Sequence, residues 1–260
     1  FMGDAKFAEF RRFQQSRQPV VFVGPYEHHS NEVTWRQGLA TVVEVNLASD
    51  GSVDLEHLQH LLRVPEYQGR LRIGSFSAAS NVTGMRSPTR AIARLLHAND
   101  AYACFDYAAS APYVEIDMNP APDAEVGDAS YDAVFLSPHK FLGGPGSSGV
   151  LVFNERLYSR DLPPSVAGGG TVDYVSPLDQ DFIADIEERE KAGTPGVLQT
   201  MKAALAMDLK QKVGVERIEA REQELLRRAM QQWSADERIE ILGNLDPQRR
   251  IGIVSFNLRD

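Results

Sequence analysis

Short apolar runs alternate with helix-patterned stretches along this chain, and that alternation restricts its fold more than any other feature. Val20–Val23, Thr41–Val45, Leu71–Phe76, Ala101–Phe105, Ala133–Leu136 and Gly149–Phe153 each read as a buried strand. Between them, Leu55, Leu58, Leu61 and Leu62 fall on one helical face behind Asp54, a residue able to cap it. Ile92, Leu95 and Leu96 share another face, and Ser87-Pro88 predicts a helix with proline at its first position. Phe7, Phe10 and Phe13 predict one face of a short helix ahead of the first strand. Such a βαβα rhythm predicts an α/β fold whose mostly parallel sheet is covered by helices.

The character changes at Gly196. Val197, Leu198, Met201, Ala204 and Leu205 form a helical stripe, and a charged helix is expected from Val215 to about Trp233. A last strand is expected at Ile251–Phe256. With nothing after it to pair with, it reads as the beginning of a smaller α+β domain. The expected division is therefore 1–195 and 196–260.

The formal net charge of −9 repels phosphate backbones, so nucleic acid is not an expected partner. No apolar run is long enough to span a membrane, and no signal-peptide pattern opens the chain. A single cysteine, Cys104, precludes an internal disulfide and reads as a buried strand residue, consistent with a reducing, cytoplasmic setting. No metal site is expected.

Ligands of open α/β sheets bind beyond the carboxyl ends of the strands. The least generic residues of this sequence lie there: Glu27-His28-His29-Ser30-Asn31 after the first strand, Ser80-Asn81-Val82-Thr83-Gly84 after the third, Asp106 after the fourth, and Ser137-Pro138-His139-Lys140 after the fifth. Taken singly, each has an ordinary explanation: a solvated histidine, a turn asparagine, a local cap, a surface lysine. Together they place a lysine, a carboxylate and an aromatic ring on one rim. A desolvated lysine amine loses its proton readily and can condense with an aldehyde. A carboxylate opposite it can hold a pyridinium proton, the combination that suits pyridoxal phosphate. Gly143–Gly149 could supply backbone donors to a phosphate, but no GxxxxGK[ST] loop is present.

In their order and spacing EHHSN, SNVTG, the aspartate of DYAAS, SPHK, GGPGSSGVL, GGGT and AGTP make the chain resemble fold-type-I pyridoxal-phosphate enzymes. The likeness is to the class V aminotransferase group that includes cysteine desulfurases and selenocysteine lyases. It implies a three-layer α/β/α large domain and pyridoxal 5'-phosphate as cofactor. It further implies that Lys140 forms the Schiff base and shuttles protons, that His28 stacks on the ring, and that Asp106 pairs with the ring nitrogen. Asn81 would contact the phenolic oxygen, and Ser137 and His139 the phosphate. Thr194 would reach the phosphate of a neighbouring subunit, which implies a homodimer with shared sites acting on a small amino acid. Gly168–Thr171 would line the entrance.

The departures from the family pattern are specific. Ala109 stands where desulfurases usually carry a glutamine, which tilts the expectation toward a transaminase, lyase or epimerase-like relative. Lys191 stands where a glutamate is common. The family's upstream phosphate loop, its substrate-carboxylate arginine and the desulfurase cysteine match nothing here, and Cys104 matches neither in position. The chain is therefore expected to be the cofactor-binding middle of a longer protein, with an inactive fragment as the alternative expectation. The competing expectations are a non-catalytic oligomerisation or binding module on the same fold, and a serine hydrolase, which the lack of a G-x-S-x-G elbow disfavours.

Overall fold

A computed structural model describes residues 4–121, 125 and 127–259. Helix α1 (Asp4–Arg17) leads into β1 (Val20–Val23), α2 (His29–Gln37), β2 (Thr41–Glu44), α3 (Leu55–Leu62), β3 (Arg72–Ser77), α4 (Thr89–His97), β4 (Tyr102–Asp106), β5 (Ala133–Leu136) and β6 (Val150–Phe153). These six strands form one sheet in the order β2-β1-β3-β4-β5-β6. All neighbours run parallel except β5 and β6, which pair antiparallel with Leu136 opposite Val150.

This order has a consequence for the site. The chain moves from β1 outward to β2, then back past β1 to β3. Right-handed crossovers in opposite directions place α2 on one face and α3 and α4 on the other. The strand order thus reverses at β1, where ligands of doubly wound sheets bind. Because β6 is antiparallel, it begins at the rim where β1, β3, β4 and β5 end.

The core lies between the sheet and these helices. Phe22, Phe76 and Phe105 from the strands meet Leu58, Leu62, Ile92 and Leu96 from α3 and α4, all fully buried. Gly74 makes that approach possible: a Cβ there would sit 2.4 Å from a methyl of Leu96. As predicted, Asp54 caps α3, accepting from the His57 N–H at 2.9 Å. In α4, Pro88 is the cap rather than the first helical residue. Phe13 of α1 is exposed, and the side chains of Phe7 and Phe10 lie outside the described residues.

Beyond the sheet come a hairpin, β7 (Val172–Val175) and β8 (Gln180–Phe182), then the short α5 (Ile186–Arg189). Helices α6 (Val197–Val213) and α7 (Val215–Trp233) follow as expected. The final strand does not. It is β10 (Phe256–Leu258), and it pairs antiparallel with β9 (Ile239–Ile241). Residues expected to begin it instead dock on the large sheet's loops, where Ile251 is fully buried and donates its N–H to Gly84 O at 2.8 Å. The strand therefore has a partner, reached backward along the chain. Among the described residues no helix is long and apolar enough to cross a membrane.

Candidate active site

The four strand ends meet as the sequence implies. His28, Asn81, Asp106, Ser137, His139 and Lys140 all line one cavity of about 700 Å³, closed on the β6 side by Gly149 and Val150. Thr194 does not line it; it is exposed on the turn between α5 and α6. Gly168–Thr171 is also apart from it, in a turn held by Thr171 Oγ1 donating to Gly168 O and by Gly193 N donating to Gly169 O, both at 2.7 Å. Ala109 faces the cavity, and Lys191 forms an ion pair with Glu188 elsewhere.

Each side chain is set by local chain geometry. His28 is the N-cap of α2, and its Nδ1 accepts the Ser30 N–H at 3.2 Å. A neutral imidazole so held carries its proton on Nε2, which has no partner among the described residues. Asp106, the last residue of β4, accepts the Ala108 N–H on Oδ1 at 2.7 Å, leaving Oδ2 without a protein donor among the described residues. Lys140 ends the 3-10 turn Pro138–Lys140, whose N–H donates to Ser137 O at 3.0 Å. The glycines after it let the loop fold tightly: a Cβ on Gly144 would lie 1.9 Å from Pro138 O.

Helix α6 braces this loop. Lys202 donates to Pro145 O at 2.7 Å, and Ser148 N donates to Gln199 O at 3.3 Å. Lys210 is half-buried; it donates to Ala111 O and Val114 O and lies 5.7 Å from the centre of the Phe141 ring. Burial pushes its ammonium below the ordinary lysine range.

One expectation fails. Lys140 itself is exposed, and its Nζ has no hydrogen-bond or ion-pair partner among the described residues. The apolar run before it stops short: Phe135 and Leu136 are only partly buried, and Pro138 turns the chain off the sheet before the lysine is reached. Burial by the strand therefore does not reach its amine.

Glu27, quoted with the EHHSN motif but given no role, proves to be the residue that joins two strand ends. Its Oε1 accepts from Gly24 N at 3.1 Å and Ser77 N at 2.8 Å. Its Oε2 accepts from Asn31 Nδ2 and Ser77 Oγ, both at 2.7 Å. Asn31 in turn accepts from Ser75 Oγ at 2.6 Å. The loop bearing His28 is thereby tied to β3 across the point where strand order reverses. Burial raises the Glu27 carboxyl above its usual range, against the four donors that lower it. Its position directly before the histidine pair was the available signal.

Cys104 is buried in β4, and burial pushes its thiol up to about 12. A second cavity, about 740 Å³, lies against α7, lined by groups such as Leu225, Leu226 and Trp233 with Arg221 and Glu222. It gathers none of the strand-end groups, and chemistry rather than size makes the strand-end cavity the candidate site.

Known proteins resemble this chain in sequence and in fold. A probable cysteine desulfurase of Halalkalibacterium halodurans is 28% identical over 257 residues, covering 97% of this chain and 59% of the relative. One from Staphylococcus aureus is 32% identical over 244 residues, covering 92% and 55%. Among solved structures, the apo cysteine desulfurase of Thermococcus onnurineus superposes with a TM-score of 0.77 at 23% identity, over 93% of this chain and 57% of that one. The cysteine desulfurase CsdA of Escherichia coli gives 0.77 at 22% identity, over 95% and 58%. At such identities the structures establish the fold, and the chain spans a little over half the length of these relatives. The aminotransferase class-V family profile matches residues 9–260, so the chain belongs to that family.

Proposed function

We propose that this chain is the cofactor-binding part of a pyridoxal-phosphate enzyme acting on a small amino acid, with Lys140 as the cofactor's covalent anchor. The observation that carries the reading is the convergence of Lys140, Asp106 and His28 from three strand ends on one cavity. The donor set suits the group: a free amine at Lys140 Nζ, an unpartnered carboxylate oxygen at Asp106, and a side-chain hydroxyl and imidazole at Ser137 and His139. When bound, the cofactor supplies an electron sink for charge developing on an amino-acid substrate.

The chain's own residues have separable tasks. Asp106 Oδ2 would hold the proton on the ring nitrogen, and Asn81 would donate to the phenolic oxygen. Ser137 and His139 bind the phosphate on the same turn as Lys140. The Ser30 N–H fixes the His28 ring so that Nε2 is the atom able to give or take a proton. Lys140 Nζ would give a proton to the substrate or take one from it. We take 1–195 as the large domain and 196–260 as linking helices and the first part of a smaller one.

Two finer readings go with this. Exposed Thr194, lying outside its own chain's cavity, supports a homodimer in which it serves the neighbour's phosphate site. Ala109 on the cavity wall, in place of the desulfurase glutamine, tilts the reading from desulfuration toward transaminase, lyase or epimerase-like chemistry, to be distinguished by product. A cytoplasmic setting is supported by the single buried thiol.

Borohydride trapping tests the anchor. Full-length protein incubated with pyridoxal phosphate, reduced and digested should carry the label on the Lys140 peptide, and Lys140→Ala should abolish it. Label spread over exposed lysines such as Lys212, with Lys140 unmodified, would overturn the assignment.

A further inference from the structure

Arg250 is the largest fully buried side chain among the described residues, and no carboxylate there lies within ion-pairing distance of it. Its guanidinium is satisfied by backbone carbonyls alone. Nη1 donates to Asn244 O at 2.9 Å; Nη2 is shared by Thr83 O, Leu242 O at 3.2 Å and Ile253 O at 3.3 Å. Its Nε has no partner among the described residues. Burying a cation without a counter-charge is costly, so a merely space-filling role is better served by an apolar side chain.

What Arg250 joins is informative. Three of its acceptors lie in its own C-terminal segment, and the fourth is Thr83, two residues after Asn81. The neighbouring carbonyls are taken by the same segment: Val82 O accepts from Ser255 Oγ at 2.6 Å, and Gly84 O from Ile251 N at 2.8 Å. Three successive carbonyls after Asn81 are therefore tied to residues 250–255. The fit is close, since Gly84 has φ +74° and a Cβ there would meet Ile253 O at 2.3 Å. From the inner side, buried Ser80 Oγ accepts Val82 N at 3.2 Å and Thr83 N at 3.1 Å. The turn is clamped on both sides, with Asn81 at the cavity wall.

We propose that Arg250 is a positioning residue for Asn81: through Val82–Gly84 it fixes where the Asn81 amide meets the bound cofactor, coupling the C-terminal segment to the site. This rests on the cavity being the pyridoxal-phosphate site. The planar fork presents two nitrogens at once to carbonyls from separate segments. A lysine offers a point charge and reaches fewer of them.

The test uses full-length protein with pyridoxal phosphate and reads two quantities, cofactor affinity and the pH midpoint of the bound cofactor's absorption. Asn81→Ala is the reference. Arg250→Met should weaken affinity about tenfold, the worth of one misplaced hydrogen bond, and move the midpoint in the same direction as Asn81→Ala. The double variant should shift no further than either single one, because both act on one contact. Arg250→Lys should recover part of the shift. Leu58→Ala, in the core remote from the cavity, should lower thermal stability and leave the midpoint unmoved. If Arg250→Met does not fold, Ser255→Ala and Arg250→Lys carry the comparison. An unmoved midpoint in the folded clamp variants, or shifts that add in the double variant, would overturn the positioning role alone. Failure of the wild type to bind the cofactor would overturn the cofactor reading and this inference with it.

Discussion

At Glu27 a single carboxylate accepts four hydrogen bonds, one from Gly24 after β1, two from Ser77 at the end of β3 and one from Asn31 in α2, the helix that His28 caps. Removing the acceptor strands the Ser77 and Gly24 N–H groups in a partly buried gap. Glu27→Ala should therefore destabilise the protein by about 1–3 kcal/mol. It should also weaken cofactor retention, because the α2 N-terminus is no longer held against β3. Urea unfolding and cofactor titration measure the two effects; a variant with wild-type stability would mean the carboxylate's bonds are matched by water. Conversely, Lys140 was legible from sequence as a site residue, yet its exposure was not, because where a chain turns off a sheet is set by the loop after the strand.

Among the elements, the far end of the sheet from the site is held by one ionic cluster. Fully buried Asp132, just before β5, accepts from His97 Nε2 at 2.9 Å, Ala103 N at 2.8 Å and Arg156 Nε at 2.6 Å. His97 Nδ1 also lies 3.2 Å from Asp128. The Asp132 hydrogen bond, with the charges of Asp132 and Asp128 adding to it, raises His97 above its usual value against the effect of burial. Burial alone would raise Asp132, but bonds from His97, Ala103 and Arg156 hold it below the usual carboxylate range. The histidine's contribution is thus fully present below about pH 6.5 and is lost as pH rises through its raised folded value. The aspartate's is lost only as pH falls through its depressed one. Thermal melts should show stability declining above about pH 6.5, and His97→Gln should flatten that slope. An unchanged slope would place the titration elsewhere. The elements themselves were mostly readable where apolar periodicity was strong, as in β1, α3, α4 and β5. Helix α2 was not, because its sequence, HSNEVTWRQ, is polar and buries only Asn31.

Across the whole molecule, apolar side chains remain exposed just after Thr194 in the chain: in the first turn of α6, Val197 is 55% exposed and Leu198 76%. A proposed subunit contact that carries Thr194 to a neighbour's site would cover this surface. Full-length protein should then run as a dimer in light scattering, and Leu198→Asp should shift it toward monomer and weaken cofactor binding together. A monomeric wild type at micromolar concentration would remove Thr194 from the site.

The sequence by itself determined the α/β class, the position of most strands and the identity of the strand-end residues. Those follow from local rules: apolar runs make buried strands, and parallel strands bring their carboxyl ends to one rim. Only the tertiary structure decided what holds those residues in place. Glu27 reaching Ser77, Lys210 reaching Ala111 and Arg250 reaching Thr83 are polar contacts between distant segments, and no periodicity records them. The same reason explains the last strand: Phe256–Leu258 pairs with Ile239–Ile241, and residues 250–255 ahead of it are tied down beside Asn81, contacts that exist only in the folded chain.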